Sequence, residues 1–150
     1  MHERALHMTP LCLDRAAIEA RIPHAGAMSL LDAVVQWDAA HIACTAAAPT
    51  ALHPLARAGR VPAIACAEYA AQACAVHGSL LDDQPAPAAL LAKLSDIDLP
   101  LDHIPTDAGP LAIRAHLLGR NEAACRYTFE VECVDQPIAR GQLMVAFTAA

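Results

Sequence analysis

The run from Ala63 to His77 constrains the fold of this chain more than any other segment. It consists almost entirely of alanine and other small or helix-favouring residues, with Pro62 directly before it and Gly78 directly after it. Proline is favoured in the first turn of a helix, and glycine is favoured just past its end. The predicted helix is apolar on nearly every side, and such a helix is normally buried. The rest of the chain must therefore surround it.

Three later segments predict the antiparallel strands that could do so. In each of them apolar and polar residues alternate with a period of two, which indicates one buried face and one solvated face. The predicted inward residues are Leu111, Ile113, Ala115 and Leu117, then Cys125, Tyr127, Phe129, Val131 and Cys133, and finally Leu143, Val145 and Phe147. Polar turns at 119–122 and 135–137 should join these strands as hairpins.

The N-terminal half adds a short helix and two more strands. Residues 1–11 carry no pattern and are expected to be loose, Asp14 is placed to cap a helix that ends near Arg21, and strands are predicted at 28–37 and 41–48. The length of 150 residues suits a single domain spanning 1–150. An antiparallel sheet wrapped around one long apolar helix solves the burial problem of both elements. This α+β arrangement is the hotdog fold.

The composition excludes several classes of function. The net charge of −6 argues against nucleic-acid binding, and no apolar run reaches the length of about 20 residues that a membrane-spanning helix needs. The N-terminus lacks the basic start and apolar core of a signal peptide, so we expect a cytoplasmic protein. Aromatic residues are only 3% of the chain, so a small-residue core should leave surface for a partner subunit.

The six cysteines predict neither disulfides nor a metal site. They form no C-x-x-C pair and show no paired ligand spacing. In a reducing compartment a buried thiol behaves as a small hydrophobic side chain. We therefore expect reduced, structural cysteines and no bound metal.

Glu68 is the most unusual residue of the predicted helix, because a carboxylate is rarely buried without a partner or a purpose. Burial would raise the pKa of its carboxyl, which would let it act as a general acid near neutral pH. Gln72, one turn further on, lies on the same helix face and could orient the carboxyl. The alternative is that Glu68 only forms a salt bridge with Arg57 or Arg60.

Two of the eight histidines precede features that could use a base. His53 lies in the loop before the helix, and His24 lies in a short segment after Pro23. Either imidazole could exchange a proton near physiological pH. The remaining six histidines are expected to be solvated or hydrogen-bonded.

Two stretches of sequence resemble FabZ-type 3-hydroxyacyl-(acyl carrier protein) dehydratases. Residues 22–32 (IPHAGAMSLLD) are similar to the opening motif of that family, and residues 53–73 are similar to its histidine loop and glutamate helix. The pattern GR-x-PA…EYAAQA…HG is closer still to the dehydratase-like subunits of aryl polyene and xanthomonadin biosynthesis. The chain differs from the dehydratase pattern in a loop one residue longer, in Pro54 after the histidine and in Ala63 at the helix start.

The resemblance implies a reaction and a set of roles. His53 would be the base and Glu68 the acid in loss of water from a 3-hydroxyacyl thioester, with the two residues coming from different subunits of a dimer. The N–H groups of Ala63 or Ile64 would stabilise the developing enolate oxygen. The substrate would be carried on the phosphopantetheine of an acyl carrier protein, with no other cofactor, in polyene or fatty-acid-type lipid biosynthesis.

Two other functions stay open at this point. A hotdog acyl thioesterase would use the helix carboxylate to activate water rather than to expel it. A non-catalytic chain would instead support a second hotdog subunit that carries the chemistry. Homodimer and heterodimer are both compatible with the sequence.

Overall fold

The short first helix begins where its capping residue predicts. The computed structural model describes residues 13–22 and 28–148. Helix α1 spans Arg15–Glu19, and the Asp14 carboxylate accepts a hydrogen bond from the Ala17 N–H at 2.9 Å. The Asp14 cap is therefore confirmed, whereas the prediction for residues 1–11 lies outside the described residues.

The long helix is confirmed, but its predicted end is wrong. A 3-10 turn over Ala63–Ala65 leads into helix α2, which spans Cys66–Asp82. The helix passes through Gly78 despite the cost of about 1 kcal/mol for a glycine in a helix interior. Buried Ser79 donates to the Gln84 carbonyl at 2.5 Å and so fixes the extra turn. Asp83 then ends the helix with a left-handed φ of 52°.

Six strands form one antiparallel sheet with α2 against its inner face. The strands are β1 (Ala33–Trp37), β2 (His41–Ala46), β4 (Ala89–Asp98), β6 (Leu111–Arg120), β7 (Ala124–Cys133) and β8 (Gln136–Phe147). Their order across the sheet is β1-β2-β6-β7-β8-β4. A separate pair joins β3 (Val61–Pro62) to β5 (His103–Ile104), just before the start of α2.

The core lies between α2 and the sheet, as the alternation of the strands predicts. All but two of the residues predicted to face inward are buried, and the exceptions, Leu117 and Phe147, are partly buried. Tyr69 from the helix and Tyr127 from β7 are the largest fully buried side chains. A sheet wrapped around one long helix is the predicted hotdog arrangement.

The predicted strand over residues 28–37 is wrong in its first half. Strand β1 begins only at Ala33, and the preceding residues are irregular. The Gln72 side chain bonds the backbone there, accepting from the Leu30 N–H at 3.0 Å and donating to the Met28 carbonyl at 2.7 Å. These backbone groups are therefore satisfied by the helix rather than by a neighbouring strand. The second strand also ends two residues early, at Ala46.

Strands β1 and β4 lie at the two edges of the sheet. Within the described residues, the ten-residue β4 pairs along one side only, with β8. Its Leu90 side chain is 63% exposed. A long edge strand of this kind presents unpaired backbone groups with which another chain can pair.

The described cysteines are free and buried, as predicted: Cys44, Cys66, Cys74, Cys125 and Cys133. Burial raises the pKa of the Cys44 and Cys66 thiols to about 12. Cys12 lies outside the described residues. In the described ranges, no helix combines the length and apolar character that crossing a bilayer requires.

Candidate active site

Glu68 lies in the first turn of α2, where it is the acidic residue of that turn. The neighbouring Ala67 and Tyr69 side chains are buried, whereas Glu68 is partly buried rather than enclosed as the sequence predicted. The Glu68 side chain thus keeps some access to solvent although the residues beside it are buried. The carboxyl can therefore meet a molecule that approaches this end of the helix.

The loop before the helix brings His53 to the same end of α2. The His53 Nε2 atom lies 3.0 Å from the hydroxyl of Tyr69. Tyr69 is the residue directly after Glu68 in the helix. The two rings stack with their centroids 6.0 Å apart and their planes inclined by 20°. The structure thus places both residues predicted to be catalytic near the first turn of one helix.

A backbone contact determines where the neutral His53 ring carries its proton. The Leu55 N–H donates to His53 Nδ1 at 3.1 Å, which makes Nδ1 an acceptor. A neutral imidazole has one donor and one acceptor nitrogen, so Nε2 carries the hydrogen. Nε2 therefore donates to the Tyr69 hydroxyl oxygen.

Desolvation keeps this pair uncharged. Burial lowers the pKa of His53, because the imidazolium loses hydration in the loop. Burial also raises the pKa of Tyr69, and the negative charge of nearby Asp32 raises it further. Tyr69 is therefore a phenol and His53 a neutral imidazole near neutral pH.

The structure separates the two candidate oxyanion donors. The Ala63 N–H donates to the Asp102 carbonyl at 2.8 Å, so it already has a partner within the chain, and its role as an oxyanion donor stays a prediction. Ile64, whose side chain is 45% exposed, is the remaining candidate at the start of the helix. Its role stays a prediction.

Gln72 has partners other than those the sequence suggested. Its side chain is 1% exposed, and its amide bonds the Met28 carbonyl and the Leu30 N–H. These bonds hold the segment before β1 against the helix. A role for Gln72 in orienting Glu68 stays a prediction.

The remaining residues considered in the sequence analysis are two arginines and one histidine. Arg57 and Arg60 are both exposed and bond to each other through their backbones, at 2.6 and 3.1 Å. His24 lies outside the described residues, so its predicted secondary role stays untested. In the two described ranges, no cluster of His, Cys, Asp or Glu side chains has the make-up of a metal site.

A second histidine–tyrosine pair lies near the other end of α2. His77 is fully buried, with Nδ1 at 2.7 Å from the Tyr127 hydroxyl and Nε2 at 2.8 Å from the Asp38 carbonyl. Since a carbonyl only accepts, Nε2 carries the hydrogen and Tyr127 donates to Nδ1. Burial lowers the pKa of His77.

Two cavities lie away from His53 and Glu68. One of about 630 Å³ lies beside the C-terminal half of α2, between Cys74, Tyr127 and Phe147, with the Asp82–Arg120 ion pair at its rim. One of about 570 Å³ lies on the outer face of the sheet, near Trp37. Neither of these two cavities is lined by His53 or Glu68.

Comparison with known protein families places the chain in one of them. Residues 16–149 match the ApeP-like family, described as ApeP dehydratase. The chain belongs to the ApeP-like dehydratase family. This match covers nearly the whole sequence, and it confirms the predicted relation to dehydratase-like subunits. A sequence search among curated proteins gave no match.

Solved structures show the same fold at low sequence identity. The dehydratase heterocomplex ApeI:P from Xenorhabdus doucetiae superposes with a TM-score of 0.76 at 20% identity, covering 88% of this chain and 91% of that one. A mutant thioesterase from Staphylococcus aureus superposes at 0.59 with 13% identity, covering 77% and 92%. The AziG protein of S. sahachiroi reaches 0.57 at 15% identity, covering 80% and 92%. These likenesses confirm the hotdog fold.

Sequence reasoning missed Tyr69 as the partner of His53. The two residues are 16 positions apart, and their contact depends on how the loop folds back onto the helix. The available signal was the phenol directly after Glu68, in a helix with few other polar groups. The Leu55 N–H gave no signal, since every residue except proline carries that donor.

Proposed function

We propose that this chain is a subunit of a dehydratase that converts a 3-hydroxyacyl thioester on an acyl carrier protein into the trans-enoyl thioester. Membership of the ApeP-like dehydratase family supports a dehydratase role. The observation that carries the proposal is the position of Glu68. Its partly exposed carboxyl lies in the first turn of a largely apolar, buried helix. Polyene or fatty-acid-type biosynthesis is the setting that the sequence resemblance implies.

The proposed chemistry needs one acid, one base and one donor. A base removes the proton on the carbon next to the thioester carbonyl, and the electron pair moves to form the double bond as the β-hydroxyl leaves. Glu68, as the general acid, gives a proton to that hydroxyl, which departs as water. The Ile64 N–H, at the positive end of the helix, would stabilise the transient enolate oxygen.

A second hotdog subunit would complete the site. The exposed edge of β4 offers ten residues for strand pairing, and the similar Xenorhabdus structure is a heterocomplex. The base would be an imidazole, either from His53 or from that second subunit.

The carrier would supply the remaining binding interactions. Its phosphopantetheine arm ends in the thioester, and Arg57 and Arg60 in the loop before α2 could meet the phosphate or acidic residues of the carrier. No other cofactor is required by the proton transfers. The buried free thiols are typical of a reducing compartment, which supports a cytoplasmic location.

Enoyl formation from a 3-hydroxyacyl carrier protein tests the proposal. The chain would be co-expressed and purified with its partner hotdog subunit, and Glu68→Gln would be compared with Glu122→Gln, a change at an exposed turn. We expect Glu68→Gln to lower kcat by about 10²-fold or more, the usual contribution of a general acid. Full activity of Glu68→Gln would disprove the acid role.

The same samples separate the alternative functions. A thioesterase would release free thiol from the acyl substrate, whereas a dehydratase gives the enoyl thioester with the thioester bond intact. A supporting subunit would leave turnover unchanged in Glu68→Gln while its removal abolishes the complex.

A further inference from the structure

Tyr69 is buried like an apolar side chain, but it carries a polar group at its end. The residue is 1% exposed, and its hydroxyl lies 3.0 Å from His53 Nε2. A phenylalanine would fill the same space in the core, so what the hydroxyl adds is the bond to the loop. Both tyrosines of the chain bond a histidine in this way, and Tyr69 is the one that directly follows Glu68.

The position of His53 depends on a small set of hydrogen bonds. Its N–H donates to the Thr50 carbonyl at 3.1 Å, and its carbonyl accepts from the Ala56 N–H at 2.9 Å. The Leu55 N–H bonds Nδ1 from within the same turn. These three bonds shape the loop, whereas the bond to Tyr69 ties the ring to the helix.

The helix is the more rigid of the two supports. Tyr69 belongs to the 17-residue helix α2, which packs against the sheet, and a connecting loop is more mobile than such an element. Catalytic groups must be held within about 0.5 Å of the productive geometry, and a misplacement of about 1 Å can cost about 10²-fold in rate. The Tyr69 hydroxyl therefore gives the imidazole a fixed place relative to the helix that carries Glu68.

We propose that Tyr69 is a positioning residue of the dehydratase reaction and that it acts through His53. Its hydroxyl holds the imidazole, and with it the loop before α2, at the first turn of the helix beside Glu68. This inference rests on the proposed function, because that function brings an imidazole and Glu68 together in one reaction. Tyr69 makes no bond to the substrate, so its removal should act on kcat more than on KM.

Tyr69→Phe in the purified two-subunit complex tests the inference, with Tyr127→Phe as the matched control. Each change removes one phenol hydroxyl from one histidine, but Tyr127 bonds His77, near the other end of α2. We expect Tyr69→Phe to lower kcat about 10-fold and to change KM for the carrier-bound substrate by less than about 2-fold. Tyr127→Phe should change kcat by less than about 2-fold, although it removes a bond from inside the core.

Two results of this comparison would overturn the inference. One is a loss of kcat below about 2-fold in Tyr69→Phe. The other is an equal loss in the two variants, which would mean that kcat follows stability rather than the position of His53.

The loss must also depend on His53. In a His53→Ala complex, adding Tyr69→Phe should lower kcat by less than about 2-fold further, because the ring that Tyr69 positions is gone. An undiminished loss of about 10-fold in that background would show that Tyr69 acts by another route, and the inference would be wrong.

A spectroscopic measurement decides the case if a variant does not assemble or the His53→Ala complex has no measurable turnover. In ¹⁵N–¹H NMR of the wild-type complex, the Nε2 hydrogen of His53 should exchange slowly with water, because it is bonded to the phenol. Rapid exchange of that hydrogen would mean that the complex lacks the bond, which would overturn the inference.

Glu68→Gln separates failure of this inference from failure of the proposed function. If Glu68→Gln is inactive while Tyr69→Phe keeps full kcat, the dehydratase proposal stands and the role of Tyr69 is wrong. If Glu68→Gln is fully active, the proposed function itself is wrong.

Discussion

Two histidine–tyrosine pairs lie at opposite ends of α2. They contain the same side chains, but they differ in their exposure to solvent and in the direction of the hydrogen bond between ring and phenol. His77 and Tyr127 are sealed in the core, where the phenol donates to the ring and the ring donates to the Asp38 carbonyl. His53 is partly exposed, and there the ring donates to the Tyr69 phenol. The direction of the hydrogen bond between ring and phenol is therefore reversed.

This difference indicates a structural role for the His77–Tyr127 pair, whereas the His53–Tyr69 pair lies beside the candidate active site. At the C-terminal end every hydrogen of the pair points inward, so the pair joins α2 to β7 and to the turn after β1. At the N-terminal end the hydroxyl of Tyr69 is the acceptor, and the pair joins α2 to the loop before it. The core pair should therefore dominate stability, and the pair at the helix start should affect the arrangement of the site.

The largest expected effect is on stability, in His77→Ala. The change leaves a cavity and removes the partners of the Tyr127 hydroxyl and the Asp38 carbonyl, so the free energy of unfolding should fall by about 3–5 kcal/mol. Denaturant unfolding followed by circular dichroism measures it. His41→Ala is the control, since His41 has a side chain 60% exposed and should change stability by less than about 0.5 kcal/mol. A loss below about 1 kcal/mol in His77→Ala would contradict the sealed pair.

A matched pair of phenylalanine variants compares the two ends directly. Tyr127→Phe leaves the His77 Nδ1 lone pair buried without a donor, at a cost of about 1–3 kcal/mol. In Tyr69→Phe, water can reach the partly exposed His53 ring, so the cost should stay below about 1 kcal/mol. Thermal unfolding of both variants measures the difference. Equal losses would mean that the two pairs are equally sealed.

The pH dependence of stability should follow His77 more than His53. Burial lowers the pKa of both histidines in the folded chain, so below about pH 6.5 the unfolded chain binds protons that the folded chain does not. The free energy of unfolding should therefore decrease as the pH falls from about 7 to about 5.5, and the fully buried His77 should contribute the larger share. Urea unfolding at both pH values should show a smaller decrease in His77→Gln than in wild type. An unchanged slope in that variant would assign the effect to other groups.

The smallest effect belongs to the ion pair at the rim of the C-terminal cavity. Arg120 bonds both carboxylate oxygens of Asp82, at 3.0 and 2.7 Å, but the Asp82 side chain is 50% exposed. We expect Asp82→Asn to reduce stability by about 0.5 kcal/mol, with the difference vanishing in high salt. A salt-independent loss above about 1.5 kcal/mol would show that the pair supports the cavity wall.

Helices and strands that follow from a periodic sequence pattern could be predicted. Element boundaries that depend on the hydrogen bonds of a single side chain could not. The alternation in β6 and β7 and the apolar run of α2 depend on residues close in sequence, and they placed the layers correctly. The helix end predicted at Gly78 is wrong because the hydrogen bond of buried Ser79 extends the helix past it. The start of β1 was misplaced because Gln72, more than 40 positions away, takes the backbone bonds of the segment before it.

The candidate site divides in the same way. Glu68 could be found from the sequence, since a carboxylate in an apolar helix is conspicuous. The state of His53 could not, because it depends on the N–H of Leu55 and on a phenol brought near by the loop. The commitment of the Ala63 N–H to Asp102 likewise depends on a contact across 39 positions.

The five buried thiols in the described part of the chain can report when the core opens. With the pKa of Cys44 and Cys66 raised to about 12, neither presents a thiolate to an alkylating reagent while the core stays closed. The rate of labelling in native buffer therefore measures how often the core opens, residue by residue and without denaturant. Cys66, in the first turn of α2, would record opening beneath Tyr69, and Cys74 would record opening beside the C-terminal cavity.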